Sequence, residues 1–185
     1  YFVREQCRPR VNGFRFDGLD QAVPLPAVMD LLADPELGLI VICPSNPFVS
    51  VDPIIRLPGL REALLASPAA CLAVSPIVGG QAIKGPAAKM LGELGLPVTA
   101  ASVAAHYRGL VDCFVLDEAD ATLAPAIAEQ GANLLRMRVG RDVEIRRVQL
   151  QQRIRERPRL ITGYEPEALL RAAQLARHRE ITGGD

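Results

Sequence analysis

Three short apolar runs, residues 37–43, 70–75 and 111–116, recur along the chain with helical spacings between them. Each is too short for an independent helix, and each has the unbroken hydrophobicity of a parallel strand covered on both faces. Residues 59–66, 86–94 and 102–108, and 119–130 after the last run, place apolar side chains at helical intervals. Strand and helix alternating in this way predict a doubly wound α/β sheet. A further strand over 132–139 extends it. Alternation over 11–16 predicts another strand, and 26–32 reads as a helix with Pro26 near its start.

In an open parallel sheet, ligands bind outside the carboxyl ends of the strands, so the loops after the apolar runs are where chemistry is expected. The first loop, residues 44–53, reads Pro-Ser-Asn-Pro-Phe-Val-Ser-Val-Asp-Pro. Its prolines fix φ and pre-organise Ser45, Asn46 and Ser50 toward a ligand at small entropic cost. A rigid turn whose Ser and Asn satisfy their own backbone accounts for the same residues. The second loop, residues 75–86, contains Gly79-Gly80 and Lys84-Gly85-Pro86 ahead of a helical stretch. Glycines admit backbone amides close to an anion, a helix start adds partial positive charge and Lys84 a full one, so phosphate is the natural ligand class.

Several function classes are excluded. The last run continues into Asp117-Glu118-Ala119-Asp120, a string that nucleic-acid motors use, yet no Gly-x-x-x-x-Gly-Lys-Ser/Thr phosphate loop occurs anywhere. Asp117 reads instead as the amino cap of the next helix, with Glu118 and Asp120 in its first turn. Two histidines, His106 and His178, with no Cys or acid at ligand spacing, do not make a zinc site. There is no Gly-x-Ser-x-Gly elbow. The 21 basic and 21 acidic residues balance, so no net field draws the chain to nucleic acid or to a membrane. An arginine-rich run from Arg136 to Arg159 reads as a solvated helix face. No apolar stretch is long enough to span a bilayer, and Tyr1-Phe2-Val3-Arg4 lacks the basic-then-apolar pattern of a signal peptide. Cys7, Cys43, Cys71 and Cys113 are too far apart for a Cys-x-x-Cys pair, and free, buried thiols in a cytoplasmic protein are expected.

The character changes after Gly140. Residues 142–156 and 165–179 have helical patterns and 159–162 a short strand pattern, so 141–185 is expected to be a helical tail of separate character. At the other end the first residue is not Met, and Tyr1-Phe2-Val3-Arg4 reads like the middle of an element. The expectation is a longer protein whose amino-terminal part precedes this sequence.

The loops also carry a resemblance. Tyr1-Phe2-Val3-Arg4, Phe16-Asp17-Gly18, Ser45-Asn46-Pro47-Phe48, Leu57-Pro58-Gly59, Val74-Ser75-Pro76-Ile77-Val78-Gly79-Gly80, Lys84-Gly85-Pro86 and Val115-Leu116-Asp117-Glu118-Ala119-Asp120 together resemble the 2-phospho-L-lactate transferase family of coenzyme F420 biosynthesis, from Tyr1 to about residue 132. The resemblance implies a Rossmann-like three-layer sandwich with a mostly parallel sheet, lacking here its amino-terminal strands. Residues 1–140 would be the family's α/β domain, incomplete at its start. It implies an enzyme that moves a phospholactyl or enolpyruvyl phosphate group from a GDP-activated donor to the deazaflavin Fo and releases GMP. Magnesium would neutralise the pyrophosphate, with ligands expected in an amino-terminal half. Ser45, Asn46 and Ser50 would contact nucleotide or acceptor, and Gly79, Gly80, Lys84 and Gly85 would line the phosphate side. A homodimer is compatible with this reading. The contrasting class is a non-enzymatic, nucleotide-sugar-binding regulator related to the gluconeogenesis factor family, which has a similar Gly/Ser-Pro loop. The Ser-Asn-Pro-Phe loop favours the transferase.

Overall fold

A computed structural model describes residues 1–137. In chain order its helices and strands are α1 (Pro26–Ala33), β1 (Leu39–Ile42), α2 (Asp52–Ile55), α3 (Leu60–Ala66), β2 (Ala70–Val74), β3 (Ile77–Val78), β4 (Gln81–Ala82), α4 (Ala87–Glu93), α5 (Ala100–His106), β5 (Cys113–Asp117), α6 (Ala124–Ala128) and β6 (Asn133–Met137). Strands β1, β2, β5 and β6 form one parallel sheet in that spatial order, and β3 and β4 pair as a separate antiparallel hairpin. Parallel neighbours need a crossover, and helices supply each one. The result is an α/β, Rossmann-like architecture, as the alternating pattern requires.

Stepping in one direction across the sheet with right-handed crossovers puts the connecting helices on one face. Burial follows that geometry. The register aligns Ile42, Ala73, Phe114 and Leu134 in one row, in which Ala73 and Phe114 are 0% exposed. These join Met90 and Leu91 of α4 and Val103 and Ala104 of α5 in one apolar core. The adjacent row, Val41, Leu72, Cys113 and Asn133, faces the other way, and Val41 is 41% exposed. Coverage on both faces therefore holds for β5, where Phe114, Val115 and Leu116 are all buried, and fails for β1 and β2.

The strand expected over residues 11–16 does not form. Burial there does not follow a strict period of two, since Asn12 and Gly13 are both exposed between buried Val11 and half-buried Phe14, and the segment is tied to α4 and not to a sheet edge. Val11 N donates to Glu93 Oε2 at 2.9 Å and Lys89 Nζ donates to the Pro9 carbonyl at 2.8 Å, so side chains replace a ladder. The hydrogen bond from Lys89, followed by the Val11 amide, holds the Glu93 carboxyl below its usual range.

The helix expected over 119–130 is broken into a 3₁₀ turn, Glu118–Leu123, and α6. Pro125 has no N–H to continue a helical ladder, so the chain restarts with proline in the first turn. By contrast α5 begins earlier than expected, because Thr99 Oγ1 accepts from Ser102 N at 3.2 Å and caps it. The end of the expected strand 132–139, the helices 142–156 and 165–179 and the strand 159–162 lie outside the described residues. No described helix is long and apolar enough to cross a membrane.

Candidate functional site

The loops after β1 and β2 leave the same end of two neighbouring parallel strands. Their construction differs. After β1 the chain turns sharply, with Ser45 N donating to the Cys43 carbonyl at 2.7 Å. It then enters a π-type turn, Pro47–Val51, that runs directly into α2. Asn46 organises this turn: its Oδ1 accepts from Phe48 N at 3.0 Å and Val49 N at 3.3 Å, and its Nδ2 lies 3.0 Å from Met90 Sδ on α4. The self-satisfying turn considered from sequence is what Asn46 builds. The Ser45 and Ser50 hydroxyls are not used in this way and have no hydrogen-bond partner among the described residues. Ser50 is exposed and Ser45 half-buried.

The second loop is a hairpin. Gly79 and Gly80, at φ 55° and 76°, form the two-residue turn between β3 and β4, the left-handed pair that a type I′ hairpin requires. Ser75, at 0% exposure, anchors it by donating from Oγ to the Ile77 carbonyl (2.8 Å) and accepting from Ile77 N (3.1 Å). The Gly79 amide donates to Asp120 Oδ2 at 3.0 Å, so a carboxylate already holds the amide expected to face an anion. Lys84 and Gly85 are exposed beyond the hairpin, and Lys84 has no hydrogen bond or ion pair among the described residues. Helix α4 has only seven residues and no side-chain cap, so Lys84 is the principal positive group at this loop.

Asp117 caps the 3₁₀ turn, accepting from Ala119 N at 2.8 Å, as its position at a strand end predicts. The role of Asp120 is not legible from a helical reading. Its carboxylate turns onto the Gly79 amide of the hairpin, and both Asp117 and Asp120 are buried. Both have amide donors, and among the described residues no group of three His, Cys, Asp or Glu side chains could hold a metal.

His106, weighed from sequence only as a zinc ligand, has its Nε2 2.7 Å from Asp52 Oδ1. Phe48 packs edge-on against the His106 ring at 5.3 Å and is stacked on its other side by Phe14 at 5.4 Å. Burial, and after it the Asp52 charge, pushes the neighbouring Tyr107 phenol above its usual range.

A cleft of about 430 Å³ opens at the opposite, amino-terminal end of the strands, lined in part by Ser67, Arg108, Asp112, Gln130 and Asn133. Open α/β sheets bind ligands at the other end, so the two loops are the stronger site despite their openness. The cleft borders Cys71. Burial first and the Asp112 charge second push the thiols of Cys71 and Cys113 up to about 12, which leaves both protonated and unreactive at neutral pH. All four cysteines are free, but against the expectation of burial only Cys71 is buried: Cys7 and Cys113 are half-buried, and Cys43 is exposed just beyond β1 where the chain leaves the sheet.

A family model for 2-phospho-L-lactate transferase CofD matches residues 1–156. The chain is 38% identical over 132 residues to a phosphoenolpyruvate transferase of Kitasatospora aureofaciens, covering 71% of this chain and 40% of that protein. It is 38% identical over 120 residues to a 2-phospho-L-lactate transferase of Methanosarcina mazei, covering 65% and 38%. A phosphoenolpyruvate transferase of Streptomyces coelicolor is 37% identical over 132 residues, covering 71% and 41%. The chain thus spans about two fifths of the length of the curated relatives it matches.

Proposed function

This chain belongs to the 2-phospho-L-lactate transferase CofD family, and from that premise we propose that it contributes part of the binding site of an enzyme of coenzyme F420 biosynthesis. The reaction is transfer of a phospholactyl or enolpyruvyl phosphate group from a GDP-activated donor to the terminal hydroxyl of the deazaflavin Fo, with release of GMP, in the cytoplasm. A bond forms between the Fo hydroxyl oxygen and the donor phosphorus, the pyrophosphate bond to GMP breaks, and the hydroxyl proton is lost.

The observation that supports this reading most is that two loops leave the same end of adjacent parallel strands, the first of them reaching through Asn46 to Met90 of α4, the helix that follows the second. One loop offers hydroxyls and the other a cation. Ser45 and Ser50 suit a ligand's polar edge, and Lys84 suits a phosphate; Gly79, Gly80 and Gly85 keep side-chain bulk away from the turn that presents it. Asn46 acts by shaping its loop. Magnesium on the donor's pyrophosphate belongs to the same proposal, with its ligands in an amino-terminal half.

Calorimetric titration of GDP and of Fo, each with magnesium, tests the reading on this chain alone and on this chain joined to the part of a relative that it does not match. Binding of both ligands to the joined protein, weakened by Lys84→Gln, is the expected result. Binding of a uridine nucleotide-sugar in their place would replace the transferase with the regulator.

A further inference from the structure

We propose that His106 is the positioning residue of the loop after β1, holding residues 44–53 in their ligand-facing form through Asp52. The proposal rests on the reading of that loop as ligand-binding, and one of its consequences can be measured without any ligand.

Asp52 is where the π-type turn passes into α2. A carboxylate only accepts hydrogen bonds, which assigns the shared proton to His106 Nε2. The 2.7 Å separation is that of a charge-assisted bond, and both side chains are largely shielded, 24% exposed for His106 and 14% for Asp52. No other side chain among the described residues hydrogen-bonds the Asp52 carboxylate. The same imidazole is the edge-on partner of Phe48, one residue beyond the proline that starts the turn. His106 therefore grips the loop at both ends of the π-type turn, by a hydrogen bond at Asp52 and a ring contact at Phe48.

The turn needs such an external grip. Its internal bonds converge on two carbonyls: Ser50 N and Val51 N both donate to Asn46 O, at 3.1 and 3.2 Å, and Asp52 N donates to Pro47 O. A π-type turn is a rare backbone form that persists where surrounding contacts favour it, and it is frequent at functional sites. Asn46 fixes the start of the turn through α4, and His106 fixes its end through α5. Ser50, the exposed hydroxyl between these two anchors, is thereby held in place.

Amide hydrogen exchange on His106→Ala, His106→Gln and Asp52→Asn tests the grip, and GDP affinity of the joined protein described above tests its use. The expected result for His106→Ala is exchange about tenfold faster at Ser50, Val51, Asp52 and Arg56, the scale of one lost charge-assisted bond, with the amides of β5 unchanged. His106→Gln, which retains a donor, restores much of that protection. Asp52→Asn keeps an acceptor at Oδ1 but removes the charge, so its protection falls between that of the unaltered protein and that of His106→Ala. GDP affinity falls in step with loop exchange across the three variants. Unchanged exchange at those amides in His106→Ala overturns the proposal, as does uniform acceleration throughout the chain, which marks a residue of the general core. If the unaltered protein binds no GDP, the function proposed above fails, and the exchange pattern still decides whether His106 positions the loop.

Discussion

The two loops at the carboxyl ends of β1 and β2 solve the same problem by opposite means. The first is shaped by prolines and by an asparagine that bonds its own following amides, and it is then gripped from outside by α4 and α5. The second folds back on itself as a hairpin around a buried serine and two left-handed glycines, and one acidic side chain holds its tip. The difference teaches where ligand-facing chemistry remains. In the first loop the amide side chain is consumed by structure and the hydroxyls have no partner among the described residues; in the second the backbone is consumed and the cation has no partner among them.

The largest effect expected from breaking this contrast lies at Ser75. Its hydroxyl serves both polar groups of Ile77 where no water reaches. Ser75→Val leaves a buried donor and acceptor unmatched, and a loss of about 2–4 kcal/mol follows from the desolvation of two such groups. Urea unfolding measures it; a loss below about 1 kcal/mol would mean the hairpin does not depend on its serine.

Asn46→Ala comes next. Removing an amino-terminal cap costs about 1 kcal/mol, and here the contact with Met90 disappears as well. Asn46→Asp keeps the acceptor and loses the Nδ2 donor, so its unfolding midpoint should fall between those of the unaltered chain and Asn46→Ala. If Asp and Ala are equivalent, the tie to α4 and not the cap holds the loop.

Much of this arrangement was legible in sequence, for identifiable reasons. Continuous hydrophobicity marked β1, β2 and β5, and the rule that ligands gather at strand ends pointed to both loops. The hairpin was not legible, because Ile77–Val78 and Gln81–Ala82 are two residues each and too short to show alternation. Gly79-Gly80 therefore read as an anion cradle and not as a turn. Asp120 was assigned to a helix's first turn because sequence spacing does not distinguish a 3₁₀ turn from an α-helix over so short a span. The link from Asp52 to His106 joins residues 54 apart and leaves no local pattern at all. The segment over 11–16 shows the limit of alternation in sequence: its apolar residues pack individually, Phe14 on Phe48 and Val11 beside Glu93 of α4, and no partner strand is needed.

The glycines give a smaller effect that separates turn from cradle. An added Cβ at Gly79 meets nothing within 4 Å, and at Gly80 the nearest atom is the Val98 carbonyl at 3.7 Å, so space is not limiting at either. The cost of Gly80→Ala is then the left-handed backbone alone, about 1 kcal/mol. Gly80→Asn should recover part of it, since Asn tolerates that conformation. Equal losses for Ala and Asn would indicate that something other than backbone strain sets the cost.

The smallest change in stability is expected at Lys84, where the change in binding is expected to be large. The side chain is exposed and lacks a described partner, so Lys84→Gln should alter unfolding free energy by no more than about 0.5 kcal/mol. If Lys84 meets a phosphate of GDP in the joined protein, the same substitution should weaken binding about tenfold, the scale of one charge-assisted bond. It should also reduce the sensitivity of binding to added salt, because one fewer charge pair is then screened. Lys84→Arg keeps the charge and should keep most of the affinity. Equal affinity for the unaltered protein and Lys84→Gln would move the phosphate contact away from the hairpin, leaving the Ser45 and Ser50 hydroxyls as the part of this site that faces a ligand.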